Sequence, residues 1–396
     1  MGTYKITFTP QEPWFFGNEK GFRFPGQTNG GAYSNSYFIK SEPMPSQSTI
    51  LGALRYLLIP NKKPIQKYNE DDIKENTECV GSASFDPDKE NQTFGKIKKI
   101  SPVFIVRKGE TLIPCPYDHR VKPTKAEAKS EGFNKACVDE EGRFKYYTPF
   151  KIYTEIKTAN GEKLYTTDFD VKDGVFHGFV SIDGENGNYP VYSLSDVIGT
   201  EVRVGNSITS QSDGFFKKQY CSFAPTQEGG KHVKSDACFA VYAELKLDED
   251  NNFDKSFINS KHIVALGQGK SMFVVKIDLV EQDNIGKVVK DFSEKTHTDI
   301  EDVKNTFFFC FGDTFVSGDP YENTKFVISD IKNYRYFSRG EYGKVTKGAA
   351  LKRILKAGSV VIADEWQQTN NNAEQIGYNN IISIIIGGNS NEQETF

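Results

Sequence analysis

Polar and apolar residues alternate from Tyr4 to Thr9, with Tyr4, Ile6 and Phe8 on one side, which predicts a first strand. The stretch from Glu12 to Pro60 then changes character twice. It opens on aromatic residues flanked by proline and continues through a loop rich in glycine, asparagine and serine. It closes on a run in which Ile50, Leu51, Leu54, Leu57 and Leu58 recur at helical spacing and form one apolar stripe. Ser46 and Ser48 are candidate N-caps for this helix and Pro60 is a natural stop. Arg55 falls on the flank of the stripe, where its stem packs and its guanidinium reaches the edge.

Further along, residues 61–95 are polar and acid-rich and predict a surface insertion. Residues 97–116 predict a hairpin around a Lys-Gly-Glu turn, and 161–182 is again strand-like. Residues 118–147 are charged and without period. Two alternating runs between Glu201 and Phe223 flank Ser212-Asp213-Gly214, a strong short-range hairpin signal. Residues 237–247 and 261–266 read as strands or short connections, 271–280 as a strand, and a helix is expected around Asp299 to Asn305. The stretches 305–318, 350–364 and 377–388 supply further apolar strands, and no repeat of solenoid length is present. Strands outnumber helices, and a strand–helix–strand–strand opening suits a ferredoxin-like unit. The expected class is α+β: two ferredoxin-like, RRM-like domains with large insertions and a protruding hairpin, divided into residues 1–230 and 231–396.

Composition narrows the chemistry. The chain has 396 residues and a formal net charge of −4, so any contact with phosphate needs locally clustered cations. Its six cysteines are scattered with no CxxC pair, which argues against a zinc ribbon or a disulfide framework and fits a reduced cytoplasm. The N-terminus has no charged segment followed by an apolar core, and no apolar run approaches the roughly 18 residues of a membrane span. A soluble, cytoplasmic protein with no metal, cofactor or membrane partner is expected.

Several clusters carry candidate chemistry. Gly267-Gln268-Gly269-Lys270, followed by Ser271, has the look of a P-loop, but that motif needs glycine where Val264 stands and a helix where a strand is expected. A glycine pair at a strand end is ordinarily a turn; beside Gln268 and Lys270 it also allows close approach of a phosphate backbone. Phe215, Phe216, Lys217, Lys218 and Tyr220 form an aromatic–basic cluster on the hairpin, either capping a core or wedging between bases. Lys344, Lys347, Lys352, Arg353 and Lys356 form a basic tract that is either a solvated face or an extra RNA contact. The five histidines are dispersed, with no HExxH, and no GxSxG elbow occurs. His119, between Asp118 and Arg120, is the one acid–base candidate; as a surface histidine in a charged loop it is expected to be inert, and no catalysis is expected.

Trp14-Phe15-Phe16, Arg23-Phe24, and Ser48-Thr49 leading into Gly52-Ala53-Leu54-Arg55 resemble the start of the third subunit of the type III-B CRISPR effector, the Cmr complex. That subunit belongs to the RAMP superfamily of CRISPR RNA-binding proteins. Four later places match in order: Arg203-Val204-Gly205, Leu266 to Ser271, Phe307 to Gly318, and Ala357-Gly358-Ser359-Val360. The chain departs from the pattern in having only Gly377 where a glycine-rich loop is usual. It also carries Ile208-Thr209-Ser210 where an aspartate–arginine pair is often found.

The resemblance implies a non-catalytic scaffold that grips the repeat-derived 5′ tag of the CRISPR RNA. It also implies docking to the large polymerase/cyclase subunit and the first backbone subunit, with target RNA met only indirectly. Expected RNA contacts are Phe16, Arg23, Ser46, Ser48, Thr49 and Arg55, the hairpin residues Phe215, Phe216, Lys217, Lys218 and Tyr220, the turn Gly267 to Ser271, and Arg353. The alternatives are a RAMP endoribonuclease that uses His119, the equivalent subunit of a sister type III effector, and an unrelated β-rich interaction protein.

Overall fold

The computed structural model describes residues 1–17, 37–60, 62, 70–81, 84–89, 91–121, 148–150, 152–157, 163–167, 169, 172, 174–184, 189–209, 212–228, 231–248, 252–267, 269–297, 305–316, 324–334, 337–339, 345–347, 351–366 and 371–386. It is a strand-rich α+β protein. The chain divides into two compact units, each assembled from three stretches, and not at a single point near residue 230. Unit 1 takes Met1–Lys108, Ser195–Gln282 and Lys332–Lys352; unit 2 takes Gly109–Leu194, Asp283–Ile331 and Arg353–Phe396. Among the described residues, no helix is long and apolar enough to cross a membrane, and no described cysteine is paired with another.

Unit 1 is centred on β1 (Gly2–Pro10), whose alternation buries Tyr4, Ile6 and Phe8 as expected. A short parallel-running ribbon strand β2 (Tyr37–Lys40) comes next, followed by helices α1 (Gln47–Leu58) and α2 (Glu70–Val80). Strands β3 (Ile97–Ile100) and β4 (Phe104–Arg107) lead out of the unit. In α1 all five predicted stripe residues are buried, and Ser46 is the N-cap, its Oγ accepting from the Thr49 amide. Helix α2 falls inside the polar stretch expected to be a mere insertion; it turns Cys79 and Val80 inward.

The middle stretch of unit 1 holds the hairpin β12 (Ile198–Thr209) and β13 (Ser212–Phe223) and a small hairpin β14 (Thr226–Glu228)–β15 (Lys231–Val233). Next come β16 (Cys238–Leu245), α3 (Asn252–Asn259), β17 (His262–Leu266) and β18 (Ser271–Val280). Strand β1 pairs antiparallel with β16 on one side and β18 on the other; β16 pairs in turn with β3 and β4, and β17 hangs on β18. Helix α1 packs on β17 and α3 on β18. The sheet order is therefore β17–β18–β1–β16–β4, all antiparallel.

Unit 2 begins with β5 (Glu110–Pro114), the two-residue strands β6 (His119–Arg120) and β7 (Thr148–Pro149), and the hairpin β8 (Ile152–Lys157)–β9 (Lys163–Thr167). Strand β5 pairs with β10 (Gly178–Ser181), which pairs with β11 (Val191–Ser193). Helix α4 (Ile285–Thr296) precedes β19 (Asn305–Cys310), β20 (Thr314–Phe315) and β21 (Thr324–Ile328). The helix expected at 299–305 falls mostly outside the described residues, and Asn305 itself opens β19. Where the chain passes between units it forms β22 (Ile331–Tyr334), and β23 (Phe337–Arg339) pairs with β24 (Val345–Lys347).

The last part of unit 2 is β25 (Lys352–Leu355), β26 (Val360–Ala363), helix α5 (Asn371–Gln375) and β27 (Ile381–Ile386). Strand β19 lies between β26 and β27, and β26 carries β21, giving the antiparallel order β21–β26–β19–β27. Val360, Val361, Ile362 and Ala363 of β26 are all buried, as expected of a strand covered on both faces.

Candidate nucleic-acid interface

The aromatic opening organises the interface region of unit 1. After β1 the chain turns back, Gln11 donating its amide to Met272 O, and Trp14 forms an antiparallel bridge with Cys221 of β13. Trp14 is fully buried: its ring meets Phe223 at 4.9 Å and Phe239 at 5.1 Å, edge-on, and its Nε1 donates to Pro43 O at 3.2 Å. Phe16, expected to touch RNA, is also buried, stacked at 6.1 Å on Phe273, with its amide donating to Ser41 Oγ. The burial pattern thus places Phe16 in the core.

The glycine turn completes this clasp. Gly267 has φ +71°, and a Cβ there would lie 2.6 Å from Phe15 O and 2.9 Å from the Phe16 ring; at Gly269 it would lie 3.0 Å from Phe15 Cβ. What approaches this turn is therefore the protein's own backbone, which explains why glycine is needed. Ser271 Oγ donates to Pro13 O, and the Met272 amide donates to Glu12 Oε1. A strand, β18, follows the turn, so the P-loop arrangement is absent here. Lys270 is exposed at the tip, with φ +52°, and Gln268 lies outside the described residues.

The hairpin runs through twelve residue pairs, from Ile198↔Phe223 to Thr209↔Ser212. Ser212, Asp213 and Gly214, expected to form the turn, are instead paired within β13, and residues 210–211 lie outside the described residues. Strand β2 adds to it in parallel, Phe216↔Tyr37 through Gln219↔Lys40, making a three-stranded ribbon. Side chains on a strand alternate between faces. One face carries Arg203, Lys218 and Tyr220: the Arg203 guanidinium covers the Tyr220 ring at 4.6 Å, and Tyr220 and the Lys218 ammonium both meet Phe15, at 5.7 and 5.6 Å. The other face aligns Val204, Lys217 and Phe38 in one row and Val202, Gln219 and Lys40 in the next. There Phe38 is 49% exposed, Val202 53% and Val204 56%, and the Lys40 ammonium stands 5.7 Å from the Phe38 ring. Aromatic and cationic groups of this kind meet bases and phosphates. Sequence reading missed Phe38 and Lys40 because four residues carry no period; their significance comes from pairing with β13.

The remaining expected contacts are dispersed. Ser46 Oγ stands 3.0 Å from Ser48 Oγ and 2.9 Å from Thr49 Oγ1, so these hydroxyls form the cap of α1. Arg55 donates from Nη2 to Gly81 O at 2.9 Å, at the C-terminal end of α2, where a cation complements the helix dipole; burial pushes its pKa below the ordinary value. Arg23 and Lys344 lie outside the described residues, and for Phe215 and Phe216 only the backbone is described. Lys352 pairs with Asp88 in unit 1 and Lys356 pairs with Asp330 in unit 2, so part of the basic tract is locally neutralised; Arg353 on β25 is exposed.

His119 differs most from expectation. Far from being a surface residue in a loop, it is 1% exposed, and Asp118 and His297 beside it are 2% and 4% exposed. Asp118 Oδ1 lies 2.7 Å from His119 Nδ1 and Oδ2 lies 2.7 Å from His297 Nε2. The two imidazoles hold the Asp118 carboxyl far below the usual range against the opposing effect of burial, while burial pushes the His119 pKa down. The acid–base candidate thus lies in a buried polar cluster and not on the surface.

The ribbon and clasp define the class: a strand-rich α+β protein that offers an aromatic–cationic ribbon beside an open antiparallel sheet. The chain belongs to the CRISPR-associated protein family Cas_Cmr3, whose model matches residues 6–307. This agrees with the resemblance read from the aromatic opening and the capped helix. Two chains from cryo-EM structures are similar over 96% of this chain and 96% of their own. One is from the Type III-B Cmr-beta bound to cognate target RNA, at 13% identity and a TM-score of 0.46. The other is from the Type III-B Cmr-beta bound to cognate target RNA and AMPPnP, state 1, at 15% identity and a TM-score of 0.44. No curated protein matches the chain.

Proposed function

We propose that this chain is a non-catalytic, RNA-binding scaffold subunit of a type III-B effector. In this reading it holds the repeat-derived 5′ tag of the CRISPR RNA and seats the large polymerase/cyclase subunit and the first backbone subunit. Family membership supports the assembly. The orders β18–β1–β16–β4 and β27–β19–β26–β21 support a pair of ferredoxin-like units beneath the insertions.

The observation that carries the RNA reading is the exposed ribbon face, where Lys217 lies between Val204 and Phe38 and Lys40 follows Phe38 on the same side of β2. Lysines grip phosphates without regard to sequence, and exposed aromatics take unstacked bases. With a net charge of −4, binding rests on this local cluster, so the isolated chain binds weakly and loses affinity steeply with salt. The endoribonuclease alternative rested on His119, and the burial of that side chain weighs against it.

The test is to purify the tagged protein from its native cells and sequence the co-purified RNA with defined 5′ ends. A short shared 5′ tag followed by varied spacers, with several partner proteins, is expected. RNA that is absent, or random at its 5′ ends, contradicts the proposal.

A further inference from the structure

Within unit 2, Asp118 and His119 stand where β6 begins. The segment is fixed by the His119 amide donating to Pro116 O, the Phe150 amide donating to Asp118 O, and the pairing of β6 with β7. His297 is the C-cap of α4. The two imidazole rings stand nearly perpendicular, 4.9 Å between centroids, and converge on one carboxylate.

The hydrogen-bonding arithmetic at His297 is the informative part. Its Nδ1 lies 2.6 Å from Ser293 O, and a carbonyl only accepts, so Nδ1 carries a proton. Its Nε2 then turns toward Asp118 Oδ2 at 2.7 Å, and a carboxylate also only accepts. A ring lone pair and an anionic oxygen cannot face each other at that distance in a buried site unless a cation lies between them. That cation is a second proton or a metal ion.

We propose that Asp118, His119 and His297 form a binding site for a zinc-class divalent ion, contrary to the expectation of a metal-free protein. The ligand atoms all lie within 4.8 Å of one another. Two imidazole nitrogens and one carboxylate oxygen form a set that suits zinc and its neighbours, and not calcium or magnesium, which take oxygen. The bond from His297 Nδ1 to a backbone carbonyl is the outer-shell contact that fixes the tautomer and aim of a metal-bound histidine. Donor atoms around a tetrahedral ion at about 2.0–2.1 Å stand roughly 3.3 Å apart, so binding lengthens the 2.7 Å contact of His297 Nε2 with Asp118 Oδ2 by about 0.6 Å. The ion takes the place of the proton between His297 Nε2 and Asp118, which leaves to solvent, and the His119 ring proton moves to Nε2. Such an ion would cross-link β6 to the end of α4.

The full-length chain, stripped with a chelator, is titrated with zinc chloride and, separately, cobalt chloride. The proposal expects about one zinc per chain retained through gel filtration and visible cobalt bands of nitrogen-ligated character. His297→Ala and Asp118→Asn should each weaken binding at least tenfold, and His177→Ala should leave it unchanged. A wild-type chain that retains no zinc and shows no cobalt bands overturns the proposal, and so does undiminished binding in His297→Ala. Should the variants fail to fold, nitrogen NMR of the wild-type imidazoles decides. Zinc must move the His119 and His297 resonances, and movement confined to other histidines overturns the site.

Discussion

The two units share a sheet order and use it differently. Unit 1 reads β18–β1–β16–β4 and unit 2 reads β27–β19–β26–β21; in each, the first strand in sequence lies between the third and the fourth. In unit 1 a twelve-residue helix, α1, follows the first strand, and the interior around Trp14, Phe16, Phe239 and Phe273 is aromatic. In unit 2 the main helix, α4, comes before the first strand and packs on β27. Each unit buries a carboxylate, and the contrast is instructive. Asp254 in unit 1 is matched by the Lys96 ammonium at 2.7 Å and the Asp248 amide at 2.8 Å, whereas Asp118 in unit 2 is held by two imidazoles. The first pairing is a fixed ion pair; the second depends on what cation sits between nitrogen and oxygen. One strand order therefore supports an apolar clasp carrying an external ribbon in one unit and an internal polar cluster in the other.

The largest expected effect breaks the clasp. Trp14→Ala should lower stability by about 3–5 kcal/mol, since a fully buried tryptophan is lost, as read by the denaturation midpoint. Cys221, whose backbone bonds to Trp14, should then alkylate at least tenfold faster than in the wild type, while Cys310 in unit 2 stays slow. Next in size, Asp118→Asn should cost about 3 kcal/mol by leaving a disrupted buried network, with little effect on RNA affinity in a filter-binding assay.

Phe38→Ala should reverse that profile. RNA binding by the assembled complex should weaken by about 1–3 kcal/mol, while stability changes by less than about 0.5 kcal/mol. Equal losses of folding and binding in both variants would erase the distinction between clasp and ribbon.

The smallest effect concerns Cys310, whose thiol burial pushes up to about 12. Its folded pKa exceeds the ordinary value of about 8.5, so its contribution is complete below that pH and is lost as pH rises toward the folded value. Between about pH 8 and 10 the denaturation midpoint should therefore fall, less steeply in Cys310→Ala than in the wild type.

Elements with a strong local period were legible in the chain itself. The alternation of β1 and β18, the stripe and Ser46 cap of α1, and the turn at Lys108 and Gly109, both with positive φ, follow from nearest neighbours along the sequence. What escaped depends on distant partners. His119 sits in a polar run that reads as loop, yet it is buried, and the Asp118 beside it meets His297 179 positions away. Arg55 looked like a phosphate ligand until Gly81, 26 positions on, supplied a carbonyl. The ribbon strand β2 is too short to have a period of its own, and the interleaving of two units leaves no compositional boundary to find.

The central claim is that the ribbon holds the RNA tag, and ultraviolet cross-linking of the native complex with peptide and nucleotide mapping tests it most directly. The account predicts cross-links concentrated in residues 37–40 and 198–223, joined to nucleotides of the shared 5′ tag. Cross-links that avoid the ribbon, or that reach it only from spacer nucleotides, would contradict it.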